Sequence, residues 1–510
     1  MKRIFWIIVS FLLISGLIFS VNFISAGNSF SELLKIFLKI SNYFFLIILL
    51  SVIFLIIREN KSPTATLAWI QIMIFLPFVG FVLYLIFGIN YRKHKIFSIK
   101  QKEDLIKLEK LYQFSSIDYA GNKKFADSEF IKIITLAENN ANSELNINNK
   151  ITSYFNGKDA IDAIFQSLEK AKHHIHLEYF SIANDEIGNK LKDILIKKSS
   201  EGIKVNIIYD AVGCWRLGKS YLNELRTKSI EIKPFLPVKF PILSSKLNYR
   251  NHRKIAIIDG KIGFIGGVNI GDKYYGKNKY FGYWRDTHLK IQGDSIHSIQ
   301  RAFLIDWLFL GGEMIDFYNY FPTHNITNKV PVQIISSGAD SNWENIMQAY
   351  FSSINIAKKY IYIQTPYLVP NESMLTALKT ASLSGVDVRI IVPSFPDHKI
   401  VFYGSRSYFK ELMEAKIKIY EYQKGFIHSK TLIVDNKFVS IGSANMDIRS
   451  FEENFEINSL IYDEDFSRKI YNQFQIDFSD SREITLDEIS NKKIFVKSYE
   501  SISRLLSPLL

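Results

Sequence analysis

Cysteine is nearly absent: Cys214 stands alone among 510 residues. One cysteine permits neither an internal disulfide nor a cysteine-rich metal site. No G-x-S-x-G elbow occurs, which removes the Ser-His-Asp hydrolases built on that turn. No G-x-G-x-x-G run occurs either, and no nucleotide-binding glycine loop is expected. His174 and His176 share a strand face but lack a third ligand at metal spacing, so no metal is expected. Acid is in short supply, with 50 Asp and Glu against 63 Lys and Arg, and the net charge is +13. That balance favours an anionic partner: a lipid surface, a nucleic acid or a phosphate substrate. Lysine spread over solvated faces accounts for part of it. Apolar residues reach 47% and aromatics 14%, rich enough to suggest membrane.

What the chain does have is one pattern twice. His252-Arg253-Lys254-Ile255-Ala256-Ile257-Ile258-Asp259 leads to Gly266-Gly267-Val268-Asn269. His428-Ser429-Lys430-Thr431-Leu432-Ile433-Val434-Asp435 leads to Gly442-Ser443-Ala444-Asn445. Both read H-x-K-x4-D-x6-G-[GS]-x-N. A single His-x-Lys is usually a solvated strand edge; two copies with identical spacing are not explained that way.

The residue types suit phosphoryl chemistry. Residues two apart on a strand share a face, so each His projects with its Lys while Arg253 turns away. A neutral imidazole can attack phosphorus, ammonium groups can hold the non-bridging oxygens, and a second imidazole can protonate the leaving alcohol. One copy supplies one imidazole, so a complete site needs both. The set of candidates is His252, Lys254, Asp259, His428, Lys430 and Asp435, with Asn269 and Asn445 placed to stabilise phosphoryl charge. Parity puts Asp259 and Asp435 off the His/Lys face, which makes a bracing role the better one for them. Each imidazole still needs a carboxylate to fix its tautomer. Asp286 and Glu456, on later apolar strands, are the candidates for that.

A wider repeat surrounds the motifs. Ala171 to Phe180 aligns with Ala357 to Pro366, and Gly202 to Ile208 aligns with Gly385 to Ile391. Helical patterns, Ile187 to Lys198 and Glu372 to Leu383, lie between. Strand, helix, strand in each half predicts an α/β fold of two like halves, each a mixed sheet flanked by helices.

Before residue 95 come apolar stretches at about 4–26, 38–57 and 65–89, each near the length needed to cross ~30 Å of hydrocarbon. The first also reads as a signal peptide, but its long apolar core and lack of a small-x-small site favour a span. Lys35, Lys39, Arg92, Lys93, Lys95, Lys100 and Lys102 outnumber the basic residues on the other side, Lys2, Arg3, Arg58 and Lys61. The catalytic region is therefore expected in the cytoplasm, behind a multi-pass anchor in the cell membrane. The expected division is 1–95 membrane, 96–150 linker, 151–330 first half, 331–510 second half.

The duplicated motif resembles the signature of the phospholipase D superfamily. Further phrases resemble one branch, the bacterial cardiolipin synthases: His176-Leu177-Glu178-Tyr179-Phe180, Tyr283-Trp284-Arg285-Asp286-Thr287-His288-Leu289, Thr365-Pro366-Tyr367-Leu368-Val369-Pro370 and Asn454-Phe455-Glu456. The likeness covers residues 40 to 510; the first apolar stretch, at about 4–26, departs from that family's two-helix anchor. It implies a membrane-bound phosphatidyltransferase that joins two phosphatidylglycerols and releases glycerol, with anionic lipids as partners and no cofactor or nucleic acid. Three rivals stand beside it. They are a phospholipase D releasing phosphatidic acid, a nuclease, and an inactive scaffold.

Overall fold

Both His–Lys strands form for the same reason. Lys254–Ile258 and Thr431–Val434 are rich in β-branched and apolar residues, and both end at a turn of positive φ: Asp259 at 55° and Asp435 at 53°. Asp and Asn tolerate that left-handed region better than most side chains. The computed structural model describes residues 30–59, 63–84, 128–238, 248–313 and 317–507. The chain folds as two units, Met1–Asn90 and Tyr91–Leu510.

In the larger unit each His–Lys strand lies inside a mixed sheet. The first sheet runs Asn149–Asn156, Tyr283–Gly293, Ile262–Gly266, Lys254–Ile258, His174–Tyr179, Lys204–Asp210, Glu231–Phe235. The second runs Val332–Ser337, Glu456–Ile461, Phe438–Gly442, Thr431–Val434, Tyr360–Gln364, Asp387–Pro393, Lys418–Tyr422, then an added edge strand Ser481–Glu483. The order is the same, position for position. In both, three successive strands pair parallel and the His–Lys strand joins them antiparallel. Helices Glu186–Ser200 and Glu372–Leu383 make the expected crossovers. Asp185 and Asn371 cap their first turns, accepting from Gly188 N and Met374 N.

Alternation along the His–Lys strands builds the core between the halves. Ile255 and Ile257 pack in one cluster with Ile433, Val439, Ile441 and Ile457 of the other half, whereas Ala256 and Ile258 face the first half's own helices. Burying each such isoleucine contributes about 1.5–3 kcal/mol. Buried ion pairs fix the halves further. Arg285 Nη2 meets Asp477 Oδ2 at 2.6 Å, and Gln364 Nε2 donates to the same carboxylate. Removing one partner of such a pair costs about 3–5 kcal/mol, because the other charge is left buried alone.

The helix Ile131–Ala141 lies in the stretch expected as a linker. It joins the second half's core through Ile133, Ile134 and Ala137, and Gln333 Nε2 donates to its Ile134 carbonyl. Residues 96–127 of that stretch lie outside the described residues.

Among its described residues the smaller unit has the helix Phe30–Glu59. Its segment Lys39–Arg58 is, among the described residues, the one helix long and apolar enough to cross a membrane by length and composition. The next apolar stretch is broken into Pro63–Phe75 and Pro77–Leu83. Pro77 disfavours helical geometry in the residue before it, and Leu76 sits at φ −133°, ψ 67°. Leu49, Ile56, Met73 and Tyr84 bury a small core, while Phe54 and Phe75 are 65% and 79% exposed. The expected span at 4–26 and the end of that at 65–89 lie outside the described residues.

Candidate active site

The two motifs meet through backbone bonds that cross from half to half. His252 N donates to the Phe455 carbonyl at 2.9 Å, and His428 N donates to the Arg285 carbonyl at 2.7 Å. Each acceptor immediately precedes a carboxylate. The side chains then repeat the crossing. Glu456 Oε1 lies 3.0 Å from His252 Nδ1, and Asp286 Oδ2 lies 2.8 Å from His428 Nδ1. A carboxylate at Nδ1 holds the proton there and leaves the Nε2 lone pair for chemistry. The His428 crossing depends on strand Gly425–Ile427, which pairs parallel with Tyr283–Arg285, and the His252 crossing on the parallel bridge Asn251–Phe455.

Four cationic or basic groups therefore share one buried centre. Burial pushes the His252 imidazole below its ordinary pKa, Lys254 and Lys430 push it further, and Glu456 works against them. Burial takes His428 well below the ordinary value, with Lys430, Lys254 and His252 adding to the effect. Burial also lowers Lys254 to about 7 and Lys430 to about 8. Each lysine Nζ donates to the carbonyl of the histidine two residues before it. The carboxylates differ. Burial would raise Glu456, but His252, Lys254 and the Ser443 hydroxyl bring it below the ordinary range. Burial wins at Asp286 and raises it, against Lys430 and His288.

Asp259 and Asp435 stand apart from the imidazoles, at the far ends of the strands. Asp259 accepts from the backbone N–H of Lys172, His173 and His174 at 2.7–3.1 Å, and Asp435 from those of Lys358, Lys359 and Tyr360 at 2.7–2.8 Å. These contacts tie the end of each His–Lys strand to the start of the strand beside it. Asn269 Oδ1 accepts from Ser181 N, which leaves its amide as a donor. Asn445 Nδ2 donates to Asp447.

The tail of the motif explains itself in this geometry. A Cβ on Gly267 would fall 2.1 Å from Asp286 Oδ1. The equivalent Ser443 uses its hydroxyl to hold the longer Glu456. Sequence reasoning missed Ser443, and also Glu178 and Asp210. Asn251 Nδ2 donates to Glu178, and Asp210 Oδ2 accepts from Asn251 N, so these carboxylates fix the residue preceding His252. An acid inside a strand that the fold predicts to be buried was the available signal for Glu178, since a buried carboxylate needs partners.

No Walker-type motif is expected, yet Gly213-Cys214-Trp215-Arg216-Leu217-Gly218-Lys219-Ser220 spells one. Its backbone makes no phosphate cradle: Val212 N and Gly213 N both donate to Asp210 Oδ1, and Cys214 N to the Asp210 carbonyl. His174 and His176 are likewise packed, with His176 bonded to Gln300 and stacked on Phe303.

Two like halves, each giving His and Lys to one centre, define a phospholipase D-type protein. The comparisons carry this to a branch. Residues 164–293 and 350–478 match the family described as "Cardiolipin synthase, PLD-like domain", and residues 45–88 match "Phospholipase_D-nuclease N-terminal". The cardiolipin synthase of Geobacillus thermodenitrificans (strain NG80-2) is 45% identical over 92% of this chain and 95% of its own. Cardiolipin synthase 2 of Bacillus anthracis is 44% identical over 89% and 88%. The phosphatidylserine synthase of Haemophilus influenzae Rd KW20 shares the fold at a TM-score of 0.58 and 15% identity, over 74% of this chain and all of that one. The chain belongs to the cardiolipin synthase family of the phospholipase D superfamily.

Proposed function

We propose that this protein is a cardiolipin synthase that transfers the phosphatidyl group of one phosphatidylglycerol to the head group of another, releasing glycerol. The observation that carries the reading is the crossed pair of imidazole–carboxylate contacts, His252 with Glu456 and His428 with Asp286. In the first step Nε2 of His252 attacks phosphorus. The P–O bond to glycerol breaks, and the departing oxygen takes a proton from His428. In the second step His428 removes the proton from the terminal hydroxyl of the incoming lipid. That oxygen attacks phosphorus, the P–N bond breaks, and His252 is restored. Lys254, Lys430 and the Asn269 amide stabilise charge on the phosphoryl oxygens. His428 is neutral in the empty site. The anionic phosphodiester supplies the negative charge that raises its pKa and loads the proton.

These assignments fix a pH profile. The nucleophile is active while His252 is neutral, and its lowered pKa keeps it so below 6.5. The lysine charges disappear as pH rises through about 7 and about 8. So kcat/KM, which reads the free protein, should fall across pH 7–8. The alkaline limb of kcat should lie higher, because bound phosphate holds the ammonium protons. A kcat/KM flat from pH 6 to pH 9, measured in lipid–detergent micelles, would overturn the assignment of both lysines.

The apolar helices of the smaller unit anchor the protein in the cell membrane as a multi-pass segment, with the catalytic unit in the cytoplasm. The division at 95, 150 and 330 remains part of this reading. A nuclease would gain nothing from such helices, and two intact motifs speak against an inactive scaffold.

The transferase and phospholipase readings share every residue and differ in the acceptor. One phosphodiester replaces another, so the reaction needs no nucleotide and runs near equilibrium. Purified protein given phosphatidylglycerol should yield cardiolipin and glycerol by mass spectrometry. Added glycerol should suppress net synthesis, and with cardiolipin supplied it should regenerate phosphatidylglycerol. Phosphatidic acid as the main product, unaffected by glycerol, would make this a phospholipase.

A further inference from the structure

Cardiolipin contains two phosphates, and the paired motifs account for one. The donor phosphorus lies between the imidazoles and occupies Lys254 and Lys430. The incoming phosphatidylglycerol brings a second anion, for which the repeated motif offers no cation.

A separate ammonium shares an aromatic neighbour with His428. Trp284 packs on the His428 ring with centroids 5.2 Å apart and stacks on Phe426 at 5.0 Å. Phe281 meets Trp284 at 5.6 Å and Phe426 at 5.2 Å. Phe395, from the other half, closes the wall against Tyr280 and Phe426, and the Tyr280 hydroxyl donates to the Pro396 carbonyl. Lys273 reaches into this wall. Its Nζ is 4.2 Å from the Phe281 centroid, 5.1 Å from that of Trp284 and 5.7 Å from that of Tyr274. Among the described residues Lys273 Nζ makes no hydrogen bond or ion pair. Asp397 is the carboxylate that acts on it, from a distance, and is held by the Tyr367 hydroxyl at 2.7 Å. An ammonium steered onto three aromatic faces, partly desolvated and without an anion, is a prepared anion site.

We propose that Lys273 binds the phosphate of the incoming phosphatidylglycerol, as a second anion site beside the one between the two histidines. This rests on the transfer proposed above, with His428 as the base for the acceptor. The spacing suits one head group. In phosphatidylglycerol the reacting hydroxyl oxygen and the nearest phosphate oxygen are separated by three carbons, about 5 Å when extended. The ring contacts Lys273–Trp284 and Trp284–His428 bound the separation of the ammonium and the His428 ring at about 10 Å, a gap that the head group with a hydrogen bond of ~2.8 Å at each end can cover. Free glycerol fits the His428 end but carries nothing for Lys273 to hold. Lys273 therefore selects a phosphate-bearing alcohol over a bare one.

The test compares two acceptors on one protein. Full-length protein in phosphatidylglycerol micelles is assayed for cardiolipin formation and for exchange of isotopically labelled glycerol into phosphatidylglycerol. Both need the same covalent step and differ in whether the acceptor has a phosphate. Lys273→Met should lower the ratio of cardiolipin formation to glycerol exchange by about 10- to 100-fold, the range for loss of a charge-assisted bond. The loss should appear in the KM for the acceptor, and Lys273→Arg should recover most of the ratio. An unchanged ratio overturns the proposal, whether both reactions persist or both fall together through a structural defect. Failure of the unsubstituted protein to exchange glycerol at all would instead sink the transfer reading.

Discussion

His252→Ala should lose phosphatidyl transfer and glycerol exchange together, by on the order of 10⁵-fold or more, as expected when a covalent nucleophile is removed. His428→Ala should be comparably inactive towards phosphatidylglycerol, for a different reason. Glycerol is a poor leaving group without a proton, and the next alcohol is a poor nucleophile without a base. The two variants separate on a donor that needs no acid. With a phosphatidyl ester of p-nitrophenol, His428→Ala should release a burst of about one nitrophenol per site and then stall. The stalled protein should carry the phosphatidyl group on His252, visible as a mass increase on the peptide containing it. His252→Ala should show no burst. The contacts favour this order of roles. Glu456, at His252, is the carboxylate held below its ordinary pKa, so it carries the charge that supports a phosphorylated imidazole. A burst from His252→Ala and none from His428→Ala would reverse the roles, and two bursts would remove the covalent step.

Much of this centre was legible in the chain because strands have a period of two. Parity alone turned Asp259 and Asp435 away from the imidazoles and directed attention to Asp286 and Glu456. The mixed sheets were legible because each His–Lys strand is an apolar run closed by a turn signal. The crossing was not legible. Whether Glu456 serves His252 or His428 depends on the Asn251–Phe455 bridge and on the Gly425–Ile427 pairing with Tyr283–Arg285, contacts between distant segments with no local signal. Gly267 and Ser443 were visible as small residues, but the reason for smallness is a carboxylate from another strand. Hydropathy made 65–89 one stretch, whereas the turn at Leu76-Pro77 divides it through backbone geometry that hydropathy does not measure. Ile131–Ala141 was hidden by its polar surroundings; Ile133, Ile134, Ala137 and Ala141 pack into the second half's core.

Glu456→Gln and Asp286→Asn should each cut turnover by about 10²- to 10⁴-fold while leaving the fold intact, since each replacement keeps shape and volume. An amide can present either a donor or an acceptor to Nδ1. It cannot neutralise an imidazolium, and by donating to Nδ1 it forces the proton onto Nε2, the atom that must attack. The two losses should fall on different steps. Glu456→Gln should slow the nitrophenol burst, because His252 must attack. Asp286→Asn should spare more of the burst and slow later turnover, where His428 handles the proton. Gly267→Ser supplies an independent check without touching either titrating pair. Its Cβ would meet Asp286 Oδ1 at 2.1 Å, so the carboxylate must leave its place beside His428 while Glu456 keeps its contact with His252. Gly267→Ser should therefore reproduce the Asp286→Asn kinetics, with native circular dichroism as the control for folding. Glu456→Gln retaining a near-normal burst would mean that the carboxylate does no more than brace the strand, and the crossed pairs would then explain the joining of the halves but not the chemistry.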